Sequence, residues 1–195
     1  MRLLFSILSV LLLSTVYSQT NQEQIIPPDF TTNVERSDSL VIIHYLGDSI
    51  DLKVTLKAIN MRWHADYYTK TPSNSSFIID GEGFIVGMFK ASDYNSNDIE
   101  CDTLISQIAN DQASTAGFLS NPKVETSVTT RNHNELNVTY VEIKNNYYTN
   151  QLYRISTMTC INGYIFQVGC SVMKSGKSKE WIMNKLLEIN SSLEY

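Results

Sequence analysis

Residues 159–170 read TCINGYIFQVGC, two cysteines enclosing an Asn-Gly pair and a run of alternating side chains. Asn162-Gly163 between β-branched and aromatic residues is the strongest short hairpin signal, because both central positions of a type I′ turn need positive φ. A two-residue turn there sets Ile161 opposite Tyr164, Cys160 opposite Ile165 and Ile155 opposite Cys170. The cysteines then stand roughly 17 Å apart along the ladder at the rise of a strand. A disulfide needs Cα atoms within about 7 Å, so these two cannot bridge each other. Alternation sends Cys160 to one face with Met158, and Cys170 to the other with Tyr164, Phe166, Val168 and Val172.

Working outward, Val124 to Thr130, Leu136 to Lys144, Gln151 to Cys160 and Tyr164 to Met173 read as four strands parted by polar turns, an antiparallel meander. Upstream, Ser39–Tyr45, Asp51–Ile59, Phe77–Asp80 and Gly83–Ala91 are strand-like, with Gly47-Asp48 and Gly81 as breaks. Asn97 to Gln112 reads as a helix: Asn97 can cap it, Glu100 can reach back, and Cys101, Leu104, Ile105, Ile108 and Gln112 share a face. Ser178 caps a second helix, where Ile182, Leu186, Ile189 and Leu193 line one side. Strands, helix, strands, helix predict an α+β fold, an antiparallel sheet flanked by two main helices.

The opening MRLLFSILSVLLLSTVYSQ has the form of a signal peptide over residues 1–18, with too short an apolar block to span a bilayer. Residues 19–38, with Pro27 and Pro28, read as a polar linker before a single domain at 39–195. The expected location is secreted or periplasmic, with no transmembrane segment after cleavage. The net charge of −5 and the scattered lysines argue against a nucleic-acid partner, which would need clustered cations.

The order of elements, with an extended IIDGEGFIVGMF stretch, a helix IECDTLISQIAND, a meander, and a closing amphipathic helix after YIFQVGCSV, resembles the PsbP-like fold family. The resemblance spans Ser39 to Tyr195 and includes periplasmic DcrB-like proteins. It implies an accessory or binding module rather than a catalyst, and carries no site residues over.

Three motifs fall short of a chemistry. DYNSNDIECDTL, residues 93–104, begins like a calcium-binding EF-hand loop but has Asp98 in place of the turn glycine and Leu104 in place of the bidentate glutamate. SGKS at 175–178 mimics the end of a phosphate-binding loop, yet Ser171 stands where that loop needs glycine, so a capping turn is expected. GEGFIVG at 81–87 continues as strand instead of opening a helix. His44, His64 and His133 lie in distant segments without a paired ligand, and no nucleophile elbow occurs. No metal, cofactor or catalytic residue is assigned.

The expected function is therefore an exported, non-catalytic binding or envelope-accessory module with a protein or small-ligand partner. The competing class is a hydrolase-like enzyme whose site assembles only in three dimensions. Tyr67-Tyr68 and Tyr147-Tyr148, near turns, are the candidate ligand contacts, since tyrosine offers contact area at low entropic cost. With three cysteines in an exported chain, at least one is unpaired or bridges between chains. Three buried thiols are expected; an internal bridge, if one forms, is expected between Cys101 and Cys170, whose face is the more apolar. Asn74, Asn137 and Asn190 head glycosylation sequons that matter only in a eukaryotic host.

Overall fold

The computed structural model describes residues 29–37, 40–57, 62–63, 74–93, 99–119, 124–133, 136–145, 151–173 and 176–195. The signal-like stretch and Tyr67, Tyr68, Tyr147 and Tyr148 lie outside them. At the centre is the hairpin of the opening stretch. Asn162 and Gly163 take φ of 50° and 82°, and the register runs Ile161 to Tyr164, Cys160 to Ile165 and Ile155 to Cys170. The same solution recurs at Asp80-Gly81, with φ of 50° and 91°, which sets Ile79 opposite Glu82.

In chain order the described strands are β1 (Phe30–Arg36), β2 (Leu40–Gly47), β3 (Ile50–Lys57), β4 (Arg62–Trp63), β5 (Asn74–Ile79), β6 (Glu82–Lys90), β7 (Val124–His133), β8 (Leu136–Asn145), β9 (Gln151–Ile161) and β10 (Tyr164–Met173). A short 3-10 turn, Ala91–Asp93, follows β6, and the described α-helices are α1 (Cys101–Leu119) and α2 (Lys179–Ser191). The expected α+β class holds, with the meander β7 to β10 intact. The described strands divide into two antiparallel sheets, β1-β2-β3 and β4-β5-β6-β10-β9-β8-β7.

The large sheet buries its two faces differently. On the first, Phe84, Val86 and Met88 of β6 and Tyr164, Phe166, Val168, Cys170 and Val172 of β10 meet the small sheet and α2, forming the main core. Helix α2 supplies Ile182, Leu186 and Ile189, with Leu193 packed at its end. Backbone bonds between Lys53 and Glu194 then tie the segment after α2 to the edge of β3. On the second face, α1 sets Leu104, Ile105, Ile108 and Ala109 against Val141, Met158 and Ile165 in a smaller core. The helix packs chiefly on β7 and β8.

Three expectations need correction. Part of the expected linker is β1, which pairs along its length with β2. Its composition is polar because, among the described side chains, only Phe30 is buried, while Thr32 and Val34 are half-buried, as befits an edge strand. Helix α1 begins at Cys101, later than expected, with the Leu104 amide bonded to the Glu100 carbonyl; Asn97 lies outside the described residues. The disulfide joins Cys101 to Cys160, with Cα atoms 6.0 Å apart, and Cys170 is the buried free thiol. The more apolar face is already filled by α2 and the small sheet, so α1 docks on the opposite one, where Cys160 points.

Candidate functional site

The β9-β10 turn builds one wall of a cleft. Register places Tyr164 beside Lys90, at the end of β6. The Ala91 amide donates to the Gly163 carbonyl at 2.9 Å, drawing the 3-10 turn against the hairpin. Ser49, from the β2-β3 turn, and Cys101, at the disulfide, close the other sides of a cleft of about 460 Å³, which Ser92, Ile99 and Asn162 also line. Elements remote in sequence thus meet at one end of the molecule, where the disulfide holds the start of α1.

A hydrogen-bonded triad, of which Lys90 and Tyr164 line the cleft, sets the electrostatics. The Lys90 ammonium reaches Asp29 Oδ2 at 2.5 Å, and the Tyr164 hydroxyl donates to Asp29 Oδ1 at 2.9 Å. Lys90 Nζ also stands 5.8 Å from the centre of the Tyr164 ring. The hydrogen bond from Lys90 holds the Asp29 carboxyl below its ordinary range. Asp29 in turn raises the ammonium, and burial, then Asp29, raises the phenol. At neutral pH the lysine is an ammonium and the tyrosine a neutral hydroxyl, so neither is a ready nucleophile or general base. What the cleft offers a small molecule is hydroxyl, amide and ammonium hydrogen bonding beside Ile99.

The SGKS segment does hold an anion, but one belonging to the chain. Glu82, nearly fully buried at 6% exposure, accepts the Lys177 amide on Oε1 at 2.6 Å. Gly176 packs so closely on the same carboxylate that a Cβ there would strike it. The next residue, Ser178, caps α2 by accepting the Trp181 amide at 3.2 Å, as the sequence predicts. This loop turns the Lys177 amide to Glu82 and the Ser178 hydroxyl oxygen to the helix start.

The remaining candidates do not converge. Tyr67, Tyr68, Tyr147, Tyr148 and His64 lie outside the described residues. His44 pairs across strands with Asp51 at 2.7 Å, while His133 ends β7 on the other sheet. Among the described residues no three His, Cys, Asp or Glu side chains gather as metal ligands. Leu104, at the last position of the calcium-loop lookalike, is core. Asn190 is 3% exposed and donates to Thr157 Oγ1 and the Leu186 carbonyl, so its sequon is sealed in the folded state, whereas Asn137 is exposed on β8. Asn74 opens β5. Lys90, Asp29 and Tyr164 escaped the sequence reading, because the Asn-Gly register fixes Ile161 opposite Tyr164, whereas Lys90 comes beside it only through the pairing of β10 with β6.

No family's sequence profile matches the chain, and no curated protein matches it. Among solved structures it is similar to cyanobacterial PsbP (CyanoP) from Synechocystis sp. PCC 6803, at 11% identity and a TM-score of 0.46, over 91% of this chain and 98% of that one. Among the described residues, no helix is long and apolar enough to cross a membrane.

Proposed function

We propose that the protein is an exported, non-catalytic binding module that seats a small polar ligand in the cleft between the β9-β10 turn, the 3-10 turn and the β2-β3 turn. The observation that carries this reading is the Asp29-Lys90-Tyr164 triad. A catalytic cleft tunes its acid or base toward the working pH, whereas this triad moves every member away from it. It leaves fixed donors and acceptors, which is what recognition needs. Export is supported by the Cys101–Cys160 disulfide, a bond that persists in oxidising compartments and is rare in reducing ones, together with the signal-like opening of the chain.

The test is a thermal-shift screen of the purified protein against metals, glycans, peptides and lipids, repeated on Lys90→Met and Asn162→Gly. A ligand whose stabilisation disappears in both variants supports the cleft. Ligands that stabilise all three proteins equally refute it. Thiol trapping in fractionated cells tests export separately: Cys101 and Cys160 protected from alkylation outside the cytoplasm is the expected result.

A further inference from the structure

On the face of the large sheet that α1 covers, one half-buried charged side chain has uncharged neighbours in the strand register. Arg154, in β9, stands between Ile143 of β8 and Ser171 of β10 in the strand register. Ile155 beside it points into the opposite core, so alternation places Arg154 on the helix side. It is half-buried, and desolvation pushes its guanidinium down to about 10, still charged at neutral pH. Among the described residues no carboxylate pairs with it. A half-buried guanidinium carries five donors and no acceptor, and leaving such a charge without a counter-ion costs folding free energy that an incoming anion would return.

The surroundings say which anion. Two positions along β9, Ser156 is buried and stands opposite Gly169; Gly169 in turn opposes Ile85 of β6. Among the described residues a Cβ built on Gly169 would meet only Ser156 Cβ at 3.6 Å and the Ile155 carbonyl at 3.8 Å, both atoms of the sheet itself. No other layer among the described residues lies within contact distance above that glycine. Since α1 packs chiefly on β7 and β8, a strip of sheet floored by Gly169 and bordered by Ile85 runs alongside Arg154. One guanidinium among uncharged neighbours balances one negative charge, whereas a phosphate monoester dianion would keep an uncompensated charge. The planar fork of arginine matches a carboxylate with two parallel hydrogen bonds.

We infer that this face is a second binding site, independent of the cleft, for a monocarboxylate with an apolar tail. Arg154 grips the carboxylate, and the tail lies along the Gly169 strip against Ile85.

Isothermal titration and thermal shift with acetate, butyrate and octanoate, against inorganic phosphate at matched ionic strength, test it. Octanoate should bind and raise the unfolding temperature, with affinity falling as the tail shortens and phosphate having no effect. Arg154→Met should lose octanoate at least tenfold and, without ligand, unfold at a higher temperature than the parent, because an uncompensated charge has been removed. Gly169→Val leaves the arginine in place and fills the strip, so it should keep the fold and lose octanoate. The inference is overturned if no carboxylate binds, if phosphate binds better, if either variant binds octanoate as well as the parent, or if Arg154→Met unfolds at a lower temperature than the parent.

Discussion

The two faces of the large sheet solve the same problem by different means. The face beneath α2 and the small sheet is sealed by large apolar side chains, among them Phe77, Phe84, Tyr164 and Phe166, all 1% exposed or less. The face beneath α1 has fewer and smaller residues, and it carries the disulfide and the unpaired Arg154. Where apolar burial is ample, the cysteine present stays a free thiol. Where it is scarce, a covalent bond fastens the helix. Cross-links substitute for core, at the scale of one face of one sheet.

The sharpest way to break the comparison is from the sealed side. Phe166→Ala should cost about 4 kcal/mol in urea unfolding, with one cooperative transition that takes all elements together. Replacing both Cys101 and Cys160 with alanine should cost about 3 kcal/mol. Here the loss should be local first: hydrogen exchange of the α1 amides should accelerate while those of β6 and β10 remain slow. Equal acceleration on both faces would show that the faces are not separable. After reduction, native protein should offer two thiols to a polar alkylating reagent, since burial, then the charge of Glu82, raises the Cys170 thiol far above its usual range.

Smaller effects sharpen the picture at the edges. Ser178→Ala should cost about 1 kcal/mol and loosen the first turn of α2, read by exchange at Trp181. Asp29→Asn should cost on the order of a few tenths of a kcal/mol at neutral pH, because the Lys90–Asp29 pair is largely solvent-screened and an asparagine can still accept from Tyr164. Asp29 is held below its ordinary pKa, so its contribution is present above the unfolded value and fades as pH falls through the folded one. The variant should therefore lose less stability than the parent between pH 5 and pH 2, a window set by that lowered pKa. An identical acid limb in the two proteins would rule out the triad as an electrostatic unit.

What could be read from the residues follows from the range of the forces involved. The hairpin register depends on two turn residues and a period of two, all local, and was legible to the residue. The caps and apolar stripe of α2 were equally local. Strand β1 was not, because an edge strand showing solvent along most of its length has the composition of a linker. The disulfide was misplaced for a different reason. The apolarity of each face was visible, but not that α2 and the small sheet compete with α1 for the better one. Asp29, Lys90, Ser49 and Asn162 come from four distant segments and meet only through the packing of two sheets, so no local pattern announces the cleft.

The bond between Lys53 and Glu194 has a bearing on how the chain is made. The small sheet forms from residues synthesised early, yet its apolar side rests on β10 and α2, and its edge is completed by residue 194. Contacts spanning more than a hundred residues make folding slow. During synthesis the early strands have nothing to close upon until residue 194 has left the ribosome. Truncation before Glu194 would therefore remove the partner of Lys53 and open an edge of the sheet formed by residues 30–57.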